Sequence, residues 1–375
     1  MDTNSRARAR DLGIRIGRLA PGRLNAITDV AGVRVGHTTL ISGAGPLVVG
    51  QGPVRTGVTV IQPRAGDAAL DPVFAGYHIL NGNGEMTGTA WIEELGTINW
   101  PIAITNTHSV GVVRDALIAY NVAHGDQVYE STWSLPVVAE TYDGTLSDIN
   151  GMHVRPEHVF AALDAAAGGP VVEGCVGGGT GMLCHGFKGG IGTSSRAVGE
   201  ADGGWTVGAL VQANYGGRPL LRVDGVPVGR EIPASEVPLP GVPVAEGAGS
   251  IIIVLATDAP LLPSQCRRLA QRATIGLARM GGTGSNSSGD IFVAFATGNT
   301  GLYQKEEGRA PLDVRMLPNG ALTPLFEAAA DATEEAILNA LCMATTTTGV
   351  DGRVAHAIPL ERLREVLRYY RRLEE

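Results

Sequence analysis

The chain is predicted to be an α/β protein. Three observations carry that prediction. Ile251 to Ala256 and Ile291 to Ala296 are unbroken apolar runs, which read as strands buried on both faces. Between them, Pro263-Ser264 opens an amphipathic helical pattern that runs to Arg279. Strand, helix and strand in that order form a crossover, which sets the two strands parallel and side by side in one sheet.

The rest of the chain is compatible with one large domain or two ordinary ones. It has 375 residues, enough to bury a sizeable core. Hydrophobic residues make up 44% and charged residues 18%, as in a soluble globular protein. The 53 glycines are about twice the usual share. With no repeat and no low-complexity run, they point to tight turns and close backbone approaches. The net charge of −8 argues against nucleic acid as a partner. Only Lys188 and Lys305 are lysines, so few residues are open to lysine chemistry. Cys175, Cys184, Cys266 and Cys342 form no C-x-x-C pair and no zinc spacing, and read as small apolar residues of a reducing compartment. No metal or cofactor is expected. No stretch reaches the roughly 18 apolar residues of a membrane span, and no signal-length apolar core follows Met1. A cytoplasmic protein is expected.

The elements follow in order. Asp2 to Leu19 reads as an exposed, Arg-rich lead-in. Val33 to His37 and Gly57 to Ile61 are strand-like. Asn81-Gly82-Asn83-Gly84-Glu85 reads first as a turn or loop, and second as an approach to substrate. Ile102 to Thr105 is a short strand, and a helix is expected from Val110 to Val122. His108, between them, reads as a turn or capping residue. Leu135 to Gly144 reads as a strand ending in a turn. Glu140 and Tyr142 lie two apart and share a face if the chain is extended. A carboxylate there can bind a cationic group, or can be solvated at the strand's mouth. Pro156 opens a helix to Ala167, closed by Gly168-Gly169.

Gly174 to Gly181 fits neither phosphate-binding template and reads as close packing of backbone on backbone. Lys188 reads as a surface charge, or as an electrostatic stabiliser if a site lies near. Trp205 to Ala213 is a strand, followed by Asn214. An Asn there is normally a turn residue, but it is also a donor type that stabilises an oxyanion. Arg230 to Gly249 is Pro-rich and reads as a long exposed connection. Thr323-Pro324 caps a helix to Met343, and a charged amphipathic helix is expected from Pro359 to Leu373.

Ser250 stands where the exposed connection meets the first buried strand, in Gly247-Ala248-Gly249-Ser250. The plainer reading is a loop residue that starts a strand, and the octapeptide by itself favours it. The sharper reading is a nucleophile that cuts Gly249–Ser250 and becomes a new N-terminus. Its α-amine, with a pKa of about 7.7–8.0, would then serve as general base. If the two buried strands are parallel neighbours, their N-terminal ends share one sheet edge. Ser288 and Asp290 then lie beside Ser250 and point the same way as each other. A hydroxyl and a carboxylate so placed can orient or relay a proton.

Several segments resemble the β-aminopeptidase family of self-processing, N-terminal-nucleophile-like hydrolases. They are Asn25-Ala26-Ile27-Thr28-Asp29-Val30 with Val35-Gly36-His37, Gly186 to Thr193, Gly249-Ser250-Ile251, and Thr345 to Gly349. The resemblance extends over essentially the whole chain. It implies a four-layer αββα sandwich, similar to the N-terminal-nucleophile fold but with different connectivity. It implies a single globular domain, residues 1–375, cut into an α chain of 1–249 and a β chain of 250–375. The implied activity is release of N-terminal residues from L-peptides, and from amides and esters including those of D-Ala. The implied substrates carry a free amine, and the αβ pairs associate further, four pairs together. By the same resemblance Ser250 is the nucleophile, Asn214 an oxyanion donor, and Ser288 with Asp290 supports the serine. Glu140, with Tyr142 beside it, matches the carboxylate that holds the substrate ammonium.

Two other classes stand against this reading. One is an ornithine acetyltransferase-like self-cleaving acyltransferase, which would use Thr where this chain has Ser250. The other is an uncleaved binding protein with a Gly-rich pocket. An ordinary serine hydrolase is disfavoured because the chain has no G-x-S-x-G. A zinc peptidase is disfavoured because it has no H-E-x-x-H.

Overall fold

The computed structural model describes residues 6–66, 70–124, 133–241, 249–302 and 310–373. Two sheets stack face to face. One has four strands in the order β1-β2-β5-β6, where β1 is Arg34–Ser42, β2 Val54–Gln62, β5 Ile102–Asn106 and β6 Val137–Thr141. The other has six, in the order β4-β3-β12-β11-β10-β9. Here β3 is Val73–Gly82, β4 Thr97–Ile98, β9 Gly190–Ala197, β10 Thr206–Asn214, β11 Gly249–Thr257 and β12 Ser288–Ala296. A short hairpin, β7 Leu183–Cys184 and β8 Phe187–Lys188, leads into β9.

Period-two alternation divides the apolar side chains among three cores. Ile252, Val254 and Ala256 of β11, with Ile291, Val293 and Phe295 of β12, pack between the sheets against Ile102, Ile104 and Ala139. Their neighbours Ile251, Ile253 and Leu255, with Phe292 and Ala294, point the other way. There they meet two long helices, Pro263–Arg279 and Thr323–Met343. On the far side, Val58, Val60, Ala103 and Val138 of the four-stranded sheet are covered by Val110–His124 and Pro156–Asp164. The layers are thus helix, sheet, sheet, helix. Both central strands are buried on both faces, which is why each reads as an unbroken apolar run. β11 and β12 are parallel and joined by the Pro263–Arg279 crossover, as predicted.

The glycine excess has the physical origin expected of it. The long helix Thr323–Met343 lies so close to β9 that a Cβ on Gly192 would fall 1.9 Å from the carbonyl oxygen of Ala336. Gly177–Gly181 forms a fully buried 3-10 turn wedged between the two sheets. A Cβ on Gly178 would meet Gln212 Oε1 at 2.1 Å, and one on Gly181 would meet the Arg55 carbonyl at 2.3 Å.

Four expectations need correction. The described part of the Arg-rich lead-in is docked over much of its length rather than wholly exposed. Ala9, Ile14 and Ile16 are buried, and Arg6 donates to the carbonyls of Leu341 and Ile358. Arg8 pairs with Glu173 at 2.6 Å, and Arg10 with Glu335 at 2.9 Å. Arg6, Arg8 and Arg10 are drawn in by buried carboxylates and main-chain carbonyls, whereas Arg15 and Arg18 stay exposed. The helix from Pro156 stops at Asp164, because Ala167 is pulled into an antiparallel bridge with Val35. The last helix spans Leu360–Tyr369 and is closed by Arg371 at a φ of 58°. The Pro-rich connection is only partly exposed as far as it is described: Ile232 and Pro240 are buried. Residues 242–248 lie outside the described residues.

Candidate active site

The site gathers at the edge of the six-stranded sheet where β11 and β12 begin. The parallel register pairs Gly249 with Ser288 and Ser250 with Gly289. On the other side of β11, Ser250 pairs with Asn214, the last residue of the antiparallel β10. Ser250 is 6% exposed, so a hydroxyl starts a wholly apolar strand at its open end. Its Oγ donates to the carbonyl oxygen of Gly249 at 2.7 Å and accepts the Gly289 N–H at 3.1 Å.

Gly249 is held in a conformation that favours glycine. Its φ is 148°, and a Cβ there would lie 2.2 Å from the Asn214 carbonyl oxygen and 2.6 Å from Tyr215 Cα. The Gly249 backbone is therefore packed against the end of β10, with the next residue's hydroxyl on its carbonyl oxygen. A serine so placed can attack its own preceding carbonyl.

Asn214 is buried and its amide is fixed at both ends. Oδ1 accepts the Leu183 N–H at 2.7 Å, and Nδ2 donates to the Tyr142 carbonyl at 3.0 Å. Nδ2 has a second proton with which it can stabilise an oxyanion. It is thus a bridge between the two sheets rather than a turn residue.

Ser288 and Asp290 do share a face. The Ser288 hydroxyl donates to Asp290 Oδ1 at 2.6 Å. Alternation along β12 puts both with Phe292 and Ala294, toward the helices, whereas Gly289 and Ser250 go with the face between the sheets. The direct partner of the Ser250 hydroxyl is therefore the Gly289 N–H. The Ser288–Asp290 pair sits across the backbone, opposite Gly249 in the register and beside the Gly249–Ser250 bond. A small cleft opens next to this pair, lined in part by Tyr215, Gly282 and Ser285. Burial raises the Asp290 carboxyl above the ordinary aspartate range, opposed by bonds from the Ser288 hydroxyl and the Ile251 N–H.

Glu140, at the end of β6, is not solvated: it is 4% exposed. Oε1 accepts the Glu85 N–H at 3.1 Å, and Oε2 accepts the Thr107 hydroxyl at 2.5 Å. Burial raises its pKa, against the pull of those two bonds. Gly84 stands between it and the start of β12, since a Cβ on Gly84 would lie 3.1 Å from both Glu140 Oε1 and Gly289 Cα. The carboxylate therefore faces Gly289, the register partner of Ser250, with Gly84 keeping the gap open. Tyr142 is 51% exposed and folds over Gly144, so it flanks the site rather than backing Glu140.

Three further contributors stand out, of which only Gly289 has no sign of its own in the sequence. Gly289 offers a main-chain donor, which counting alternation back from Ile291 would have put on the serine's face. The Asn83-Gly84-Glu85 segment lies against Gly289 and Glu140, so its second reading places it better. His108 is an exposed turn residue, but it lies near enough to Glu140 to favour its ionised form.

Comparison with known proteins agrees with this architecture. The sequence profile of peptidase family S58 matches residues 25–355. A β-peptidyl aminopeptidase of Sphingosinicella microcystinivorans is 54% identical over 98% of this chain and 93% of its own. A β-aminopeptidase structure from a Burkholderia species superposes with a TM-score of 0.89, at 55% identity over 97% of this chain and 99% of that one. The L-aminopeptidase D-Ala-esterase/amidase of Ochrobactrum anthropi is described as a prototype of the serine aminopeptidases and a new variant of the Ntn hydrolase fold. It superposes with a TM-score of 0.87, at 47% identity over 98% and 99% of the two chains.

Proposed function

The chain belongs to peptidase family S58, and on that premise we propose that it is a serine aminopeptidase that activates itself by cutting Gly249–Ser250. The observation that carries the proposal is the Ser250 hydroxyl at 2.7 Å from the carbonyl oxygen of a glycine whose position admits no side chain. In the first reaction Ser250 Oγ bonds to the Gly249 carbonyl carbon. The Gly249–Ser250 C–N bond breaks and the hydroxyl proton passes to the leaving nitrogen. Water then hydrolyses the resulting ester, freeing the Gly249 carboxylate, the Ser250 hydroxyl and the Ser250 α-amine. The products are residues 1–249 and 250–375, held in one fold.

In the second reaction the same hydroxyl attacks a substrate carbonyl, with the new α-amine as base. Asn214 Nδ2 offers its second proton to the oxyanion. Ser288, itself held by Asp290, lies beside the released amine and orients it. Glu140 receives the substrate's own ammonium. A buried carboxylate without a cation is costly, so it favours a free N-terminus over a capped one. Substrates are accordingly short peptides, amino-acid amides and esters with a free amine, including amides and esters of D-Ala. The relatives named above support that range, and further assembly into four αβ pairs is proposed on the same footing.

The test is intact-mass measurement of the purified protein. Two chains should appear without added protease, and Ser250→Ala should remain one chain. A fully active protein that stays a single chain would sink the mechanism.

A further inference from the structure

Lys188 contradicts its sequence reading most sharply. It is not a surface charge: its side chain is fully buried. Among the described residues no carboxylate faces it; burial lowers its pKa, against the pull of the Cys175 and Cys184 thiols, of which Cys175 is also a hydrogen-bond partner. Its Nζ instead donates to three main-chain carbonyls: Met182 at 2.9 Å, Gly189 at 2.9 Å and Gly179 at 3.3 Å. An ammonium has three donors and no acceptor. Three converging carbonyls therefore match the charged form and leave a neutral amine with a lone pair facing an oxygen. Burying a cation with no carboxylate against it is costly, and a methionine would fill much the same space without that cost. The charge needs a use.

The use lies one peptide away. The Met182 carbonyl and the Leu183 N–H belong to a single peptide group. Lys188 binds its oxygen, and its N–H binds Asn214 Oδ1 at 2.7 Å. We infer that Lys188 is a positioning residue for Asn214, acting through the Met182–Leu183 peptide. The inference rests on the reading of Asn214 as oxyanion donor. A cation on a carbonyl polarises the whole amide and makes its N–H a stronger donor. The strengthened Leu183 N–H holds Oδ1, which forbids the flipped amide and keeps Nδ2 turned toward Tyr142 and the serine. Polarisation continues through the Asn214 amide, so its free Nδ2 proton is a better donor where negative charge develops. The chain of groups runs from ammonium to carbonyl, N–H, amide oxygen and amide N–H. No step moves a proton, and Lys188 touches neither substrate nor serine.

The test is a double-mutant cycle on the processed enzyme, using an amino-acid p-nitroanilide with active sites titrated. Asn214→Ala should lower kcat by about 10²–10³. Lys188→Met should lower kcat about tenfold, the scale of one hydrogen bond weakened in the transition state, with KM nearly unchanged. In the double variant the Lys188 change should add nothing, because the group it acts through is gone. A normal kcat in Lys188→Met overturns the inference, and so does a tenfold loss that multiplies onto Asn214→Ala. A normal kcat in Asn214→Ala is a different failure, since it removes Asn214 from the reaction and the underlying reading with it. Should Lys188→Met not fold, the cycle is run with Lys188→Gln, which keeps a neutral donor. Loss of a cooperative melt in both variants overturns the inference in favour of a purely structural lysine.

Discussion

Replacing Gly249 by alanine should separate maturation from catalysis. The added Cβ would sit 2.2 Å from the Asn214 carbonyl oxygen and 2.6 Å from Tyr215 Cα, both main-chain atoms of the β10 end. Carbon reaches a tolerable contact with such atoms only beyond about 3 Å, so residue 249 must retreat by roughly 1 Å. A φ of 148° adds strain of about 1–3 kcal/mol for a residue with a side chain. The carbonyl now 2.7 Å from the Ser250 hydroxyl moves with it. A misplacement of about 1 Å at a reacting centre costs on the order of 10²-fold in rate. Processing followed by intact mass from a fresh preparation should therefore slow by about that factor. Once cut, residue 249 is a free chain end that can move aside, so the matured fraction should cleave substrate at the wild-type kcat/KM. Maturation at full speed would refute the argument that this carbonyl is held for attack. Slow maturation with equally slow catalysis would show that the substitution damages the whole site.

Other outcomes follow from the same geometry. Glu140→Gln should lower kcat/KM for a free-amine substrate by the roughly 2–5 kcal/mol of a broken buried charge pair, while N-acetyl substrates stay poor and self-cleavage proceeds. The Glu140 carboxyl is raised by burial and binds an ammonium only when ionised. Activity on amines should thus fall with decreasing pH through a midpoint above the usual glutamate range, and Glu140→Gln should abolish that limb. Arg196, fully buried against Glu335 at 2.7 Å, should cost about 3–5 kcal/mol in a thermal or denaturant melt when changed to Met. Activity should persist in chelator; loss restored by one added metal would reveal a ligand set not recognised here.

What was legible in the sequence was whatever two neighbouring strands decide. The runs after Ser250 and Asp290 announce buried strands, and one crossover helix makes them parallel, so their starts meet. Asn214 and Glu140 are different. Their place depends on β10 pairing antiparallel to β11 and on the second sheet stacking above, and neither contact has a local signature. Glu140 lay open between a solvated and a binding carboxylate until Gly84 and Thr107 closed around it. Lys188 misled because lysine is so seldom buried without an acid; three carbonyls of a glycine turn and its neighbours satisfy it, and carbonyls carry no sequence mark. The Arg-rich start misled for a related reason, since its partners Glu173 and Glu335 lie far along the chain. The Ser288–Asp290 pair lies at the same sheet edge as Ser250, while the main-chain N–H of the glycine between them binds the Ser250 hydroxyl.

The strand order β4-β3-β12-β11-β10-β9 gives the proposed cut an unusual position. Residues 250–375 supply the two middle strands, and residues 1–249 supply those on either side. Neither piece holds the whole of this six-stranded sheet, and removing one would expose a long unpaired edge on the other. Before the cut, folding is a first-order event within one molecule. After it, recovery from denaturation needs two chains to find each other, so refolding becomes second order and fails on dilution. Maturation would thus leave native contacts in place while removing the easy road back to them. Lifetime in the working enzyme would then be set by the height of the unfolding barrier rather than by a reversible equilibrium.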